Sequence, residues 1–167
     1  VSQALNLHRL AVLLLALLIA GCGFQPRGQT PRLSGVPGPI LISGILPASP
    51  LQRALVRELE AAGATVAPSR TQGVAVLDID RLRSERRVLS VDSRNKAVEY
   101  ELAESARFAL RSADGRELVP AQTARVLRIQ FRPGDAILAS DREAELVRED
   151  MREELASKIV RRLAAVE

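Results

Sequence analysis

Apolar and polar positions fall into six periodic runs downstream of an uncharged N-terminal stretch. Between Pro39 and Leu46 the residues Ile40, Leu41, Ile42 and Ile45 form a short continuous apolar run, the pattern of a strand buried on both faces. A helix is predicted immediately after it. Ser49 is a good N-cap with Gln52 three residues on, Pro50 suits the first helical position, and Gly63 closes the far end. Leu51, Ala54, Leu55, Leu59 and Ala62 supply its apolar stripe. From Val74 to Val91, Ala75, Leu77 and Ile79 alternate with Val76, Asp78 and Asp80, until Arg81, Arg83, Arg86 and Arg87 interrupt the pattern. The interruption predicts a long strand with a bulge or bend near Arg81.

From Val98 the alternation is clean. Val98, Tyr100, Leu102, Ala106, Phe108 and Leu110 share one face, and Glu99, Glu101, Ser105, Arg107 and Arg111 the other. Asp114-Gly115 marks a tight turn, and Leu118 to Phe131 returns as a further strand with Leu127, Ile129 and Phe131 in phase. The last run is helical, from about Asp141 to Val166, with Ser140 as cap and Glu143 three residues later. Ala144, Val147, Met151, Leu155, Ile159 and Leu163 give it one stripe at spacings of three and four. The order is therefore β-α-β-β-β-α, an α+β fold. The β-α-β unit implies a parallel pair, the next three strands an antiparallel meander, and both helices should cover one face of a mixed four-stranded sheet. The other face carries charge.

Composition agrees with one folded domain: 47% hydrophobic, 26% charged, mean hydropathy near zero. Much of the apolar content sits in residues 10–20, LAVLLLALLIA, which follow His8 and Arg9. Eleven residues are too few to span a bilayer, which takes about 20, and the layout is that of a secretory signal. Ile19-Ala20-Gly21-Cys22 resembles the bacterial lipobox. That resemblance implies cleavage before Cys22 and acylation of its sulfur and new amine, with two or more acyl chains giving a stable membrane anchor. Gly23 follows the cysteine, and the lipoprotein pattern reserves inner-membrane retention mainly for Asp there, so the implied destination is the outer membrane. Residues 1–21 are thus read as signal peptide, 22–38 as a lipidated, proline-rich tether, and 39–167 as the folded domain.

Counting removes several chemistries. His8 is the only histidine and Cys22 the only cysteine, so the domain lacks the residues for Ser-His-Asp or Cys-His catalysis, His/Cys zinc sites and internal disulfides. Net charge is +4, and all but two of the 24 basic residues are arginine. With four aromatic residues and no Trp, a stacking platform for nucleic acid is not provided. Asp78-x-Asp80 lacks a third ligand for a divalent cation, and Glu99 and Glu101 lack a cleft for glycoside hydrolysis. No cofactor or metal is implied.

Three segments carry a family resemblance: CGFQPRG at 22–28, AVEYELAESARFAL at 97–110 and AILASDREAELVREDMREELASKIVRRL at 136–163. With them the sequence resembles the LPS-assembly lipoprotein family, LptE, over nearly the whole chain after Cys22. Pro26 departs from the pattern, where a bulkier apolar residue is usual. The resemblance implies a non-enzymatic plug that sits 1:1 in the lumen of an LptD-type outer-membrane β-barrel and helps place lipopolysaccharide in the outer leaflet. It also implies direct lipopolysaccharide binding, for which basic residues beside apolar ones are the fitting chemistry, arginine forks matching phosphate. Arg94 and Lys96, in the turn VDSRNKAV, occupy one loop where relatives carry basic residues. A second is the start of the final helix, where Ser140 stands at a position that can be lysine and Arg142, just after Ile137-Leu138, is its basic neighbour. A different class stays open: an independent outer-membrane lipoprotein that binds peptidoglycan or another envelope component.

Overall fold

The computed structural model describes residues 32–33, 35–36, 38–131 and 137–165, with 137–141 as backbone only. The signal segment, Cys22 and most of the expected tether lie outside the described residues. Six elements follow in the expected order: β1 (Ile40–Ser43), α1 (Pro50–Ala61), β2 (Ala75–Val91), β3 (Ala97–Arg111), β4 (Glu117–Phe131) and α2 (Ile137–Ala164). The strands make one sheet ordered β1-β2-β3-β4, β1 parallel to β2 and the remaining pairs antiparallel.

The first helix forms where its capping residues place it. Gln52 N donates to Ser49 Oγ at 3.3 Å, satisfying an orphan donor of the first turn, and the Gln52 side chain accepts from Ala48 N, just before the cap, at 2.8 Å. Gly63, at φ +84°, ends it with Ala64 N donating back to Leu59 O at 2.9 Å. β1 is shorter than its apolar run. It is an edge strand whose Ile40 alone is buried; Leu41 and Ile42 are half-covered, and Leu46 lies beyond it, exposed. Leu33 packs into the core and donates from its N–H to Ala62 O at 3.1 Å.

A register shift between Ile79 and Arg81 realises the expected bulge. Its effect is a change of phase: Leu77 and Ile79 pair with Leu110 and Phe108 on the helix side, and beyond the shift the same side is taken by Leu82, opposite Ala106. Of the four arginines, Arg81, Arg83 and Arg87 consequently stand on the face away from the helices, and Arg86 lies over the Tyr100 ring at 4.6 Å.

The core lies between the helix-side face and both helices. Leu51, Leu55 and Leu59 of α1 and Met151, Leu155, Ile159 and Leu163 of α2 pack with Leu77, Ile79, Leu102, Phe108 and Leu110. α2 also runs along the edge of the sheet. Three consecutive odd-numbered carbonyls of β4 accept from cations there: Thr123 O from Arg162 at 2.7 Å, Arg125 O from Lys158 at 3.3 Å and Leu127 O from Arg128 at 3.2 Å. Paired groups on an edge strand no longer invite another chain. Glu154 binds both Lys158 and Arg128, and the Lys158 hydrogen bond, with that of Arg128, holds its carboxyl below the ordinary glutamate value against some desolvation.

Two expectations are corrected here. Leu127, Ile129 and Phe131 do not face the core; the buried phase of β4 is Val119, Ala124, Val126 and Gln130, and the apolar trio is exposed on the opposite face. Small side chains at Ala124 and Val126 let α2 approach, so the bulkier phase is the one left outside. The second helix begins at Ile137, so Ser140 lies within its first turn instead of capping it.

Gly44 fixes the end of β1 against β2. Its φ of +84° is left-handed, and a Cβ there would fall on the Ile79 carbonyl at the bulge. Gly44→Ala should therefore destabilise the domain by ~3 kcal/mol in urea unfolding. An unchanged midpoint would show that the bulge is not held by this contact.

Candidate functional site

Past the bulge β2 lies bare of both helices. Nearly every residue of β2 from Asp80 to Val91 is exposed, although the strand keeps its pairing with β3 to the turn. This distal arm carries Val88, Leu89 and Val91 on β2 and Leu127, Ile129 and Phe131 on β4, the last two 67% and 68% exposed. Bare apolar residues in phase on one strand face, as the β4 trio is, mark interaction surfaces.

At its tip the β2–β3 turn is tightly built. Asp92 accepts from Arg94 N at 2.9 Å and Lys96 N at 2.8 Å through one carboxylate oxygen, while its own N–H donates to Lys96 O at 2.8 Å. Asn95 takes the left-handed position at φ 60°. The turn thus presents two exposed cations on a fixed backbone, Arg94 and Lys96, with apolar strand ends directly behind them. Such a surface can hold a phosphate in its forks and an apolar chain along its strands.

The third expected cation arrives at the same end. Glu99 pairs with Phe131, so β4 finishes beside the turn, and α2 returns antiparallel to β4 from there. Arg142 is exposed and lies ~18 Å along the helix axis from Glu154, which corresponds to about five strand residues beyond Arg128. That places it a little past Phe131, the last residue of β4. Cys22 lies outside the described residues, as do the side chains of Ile137 and Leu138. Asp78 accepts from Ser43 Oγ at 2.7 Å and Asp80 is 3.2 Å from Arg107, so both have partners other than a metal.

Sequence reasoning passed over Glu104. It lies in the apolar phase of β3 between Leu102 and Ala106 and is 1% exposed. Ser84 donates to it at 2.6 Å, and Arg152 of α2 stands 3.8 Å away while also reaching Glu145 at 3.1 Å. A carboxylate interrupting an apolar alternation was the available signal. Its work is to tie α2 to the arm through the Ser84 hydrogen bond and the Arg152 ion pair.

The model of the LptE family, described as lipopolysaccharide-assembly, matches residues 40–163, from the first residue of β1 to within one residue of the end of α2. The chain belongs to the LptE family. LPS-assembly lipoproteins LptE from Photorhabdus laumondii and Pectobacterium atrosepticum are each 31% identical to it, over 95% of this chain and 87% of theirs. Among solved structures, lipoprotein B from Nitrosomonas europaea superposes with a TM-score of 0.67 at 25% identity, covering 86% of this chain and 91% of that one. Rare lipoprotein B from Shewanella oneidensis shares the fold, with a TM-score of 0.63 at 23% identity over 76% of this chain and 92% of that one. The LptE match spans the arm and its turn as well as the core.

Glu104→Ala would leave Ser84 and Arg152 facing an apolar gap, at a cost of about 2 kcal/mol in denaturant unfolding, with Glu104→Gln milder. Equal stability of the Ala variant and wild type would contradict the tie between α2 and the arm.

Proposed function

We propose that this LptE-family chain is an outer-membrane lipoprotein, anchored through acylated Cys22, whose domain fills the lumen of an LptD-type β-barrel as a 1:1 partner and binds lipopolysaccharide at the tip of its arm. The carrying observation is the family match across the whole sheet and both helices. Two physical features support the reading. Barrel lumens are polar, and the helix-free face of this sheet bears ion pairs such as Arg87 with Glu101 at 3.3 Å and Arg107 with Asp80 at 3.2 Å, which suit a wet, charged wall. The bare apolar residues of the arm are few enough for a small domain to carry and suit contact with a partner or with acyl chains.

In this reading the domain makes and breaks no covalent bond. It acts by position: the lipid anchor holds it at the bilayer, and the arm presents Arg94, Lys96 and Arg142 to the phosphates of an arriving glycolipid. Charge-assisted forks orient the headgroup, and Val91, Ile129 and Phe131 offer apolar surface beside it.

The Arg94→Asp, Lys96→Asp double variant of the full-length lipidated protein tests the binding half directly. Both side chains are exposed, and their backbone contacts run through Asp92, so the fold should hold. Lipopolysaccharide binding in detergent is expected to weaken at least tenfold, about 1.4 kcal/mol. Binding as tight as wild type would remove these residues from the site.

A further inference from the structure

The helix-free face holds a second basic feature, well away from the tip. Strand register sets two neighbouring rungs across β2, β3 and β4: Arg81, Arg107 and Thr123 in one, Arg83, Ser105 and Arg125 in the other. Rungs two residues apart are ~7 Å from each other along the strands, and directly opposed residues are ~5 Å apart. Four guanidiniums therefore surround two short hydroxyl side chains. Ser105 and Thr123 leave a dip between the arginines, and the resulting cavity of about 240 Å³ is lined by these six residues and Glu85.

This arrangement is electrostatically unfinished. Arg81 and Arg107 are directly opposed, a like-charge pairing that costs stability on a sheet. Asp80 answers Arg107 at 3.2 Å and Glu85 answers Arg125 at 3.7 Å, so four positive charges meet two negative ones. Among the described residues no carboxylate lies within 4.0 Å of Arg81 or Arg83. Solubility alone would be served by interspersed charges of both signs. Planar guanidiniums around hydroxyl donors match the oxygens of a tetrahedral phosphate. A local rule broken without compensation within the fold points to function.

We propose that this cavity is a separate anion site that takes the phosphorylated saccharide headgroup of a glycolipid, with Arg81 and Arg83 as the uncommitted forks and Ser105 and Thr123 as hydroxyl donors. It deepens the reading above, on which the lipid source rests, by giving the headgroup a second place on the domain. The rungs lie about 25 Å down the arm from the Arg94 turn, so the two sites are physically distinct.

The test uses full-length, isotopically labelled protein in mild detergent and three probes: inorganic pyrophosphate, lipopolysaccharide, and the same lipopolysaccharide after chemical dephosphorylation. Amide shifts at Arg83, Ser105, Thr123 and Arg125 are expected with both phosphorylated probes and not with the dephosphorylated one. In the Arg81→Ser, Arg83→Ser variant those shifts should need at least tenfold more of either probe, with a thermal midpoint at or above wild type because the opposed pair is gone. Because pyrophosphate reads the cavity by itself, failure of this site is distinguishable from failure of lipopolysaccharide binding at the tip. Shifts spread evenly over all exposed arginines, or a double variant that responds like wild type, would overturn the proposal. A response to pyrophosphate without one to lipopolysaccharide would overturn the lipid source. A variant that binds both probes normally and loses only a co-purifying barrel would overturn it in favour of a protein contact.

Discussion

Everything in this molecule depends on the seam between α2 and the inner half of the sheet. Met151, Leu155, Ile159 and Leu163 are buried with the even-numbered side chains of β3 and their neighbours on β4, in one core with Leu51, Leu55 and Leu59 of α1. Burying side chains of this size contributes about 1.5–3 kcal/mol each, before the entropy of ordering them is set against it. Because Lys158 and Arg162 of α2 also bind the carbonyls of Arg125 and Thr123, the same contact occupies part of the sheet's edge. The seam follows β3 and β4 and leaves the outer half of β2 bare, so that stretch is held by its pairing with β3 and by the Ser84–Glu104 hydrogen bond.

This division explains which parts of the structure could be read from the sequence. Elements whose alternation or stripe serves the core were legible: Ser49, Pro50 and Gly63 delimit α1, the β3 alternation names the buried face, and Met151 belongs to the seam. The bulge was legible as well, because the arginines after Ile79 break an apolar phase. β4 misled for a physical reason. Its larger apolar residues, Leu127, Ile129 and Phe131, are in phase with the helix-free face, while the core takes the smaller Ala124 and Val126. Hydrophobic phase shows which side of a strand prefers to leave water; it does not show whether a helix of the same chain or something else covers that side. Ser140 misled similarly, since a good capping residue is tolerated inside a first turn.

The candidate site was legible in its parts and not in their arrangement. Arg94 and Lys96 were readable as turn cations, but it is the register that sets Phe131 beside Glu99 and so brings the end of β4 to the same place. The paired rungs of Arg81 with Arg107, and of Arg83 with Arg125 across Ser105, depend on strand alignment over more than twenty residues and on the phase change at the bulge. No local window contains that information. A sheet with one face partly packed by its own helices and the other lined by cations, ion pairs and stray apolar residues is a domain built for company, consistent with membership in a lipopolysaccharide-assembly family.

The central claim is that this company is a β-barrel in which the domain sits. The most direct measurement is affinity purification of a tagged, lipidated chain from outer membranes in mild detergent, with the stoichiometry of what accompanies it. The account predicts one large β-barrel protein at a 1:1 ratio, with the domain resistant to protease only in its presence. Recovery of the chain alone and fully protected, or in company with peptidoglycan fragments, would contradict it.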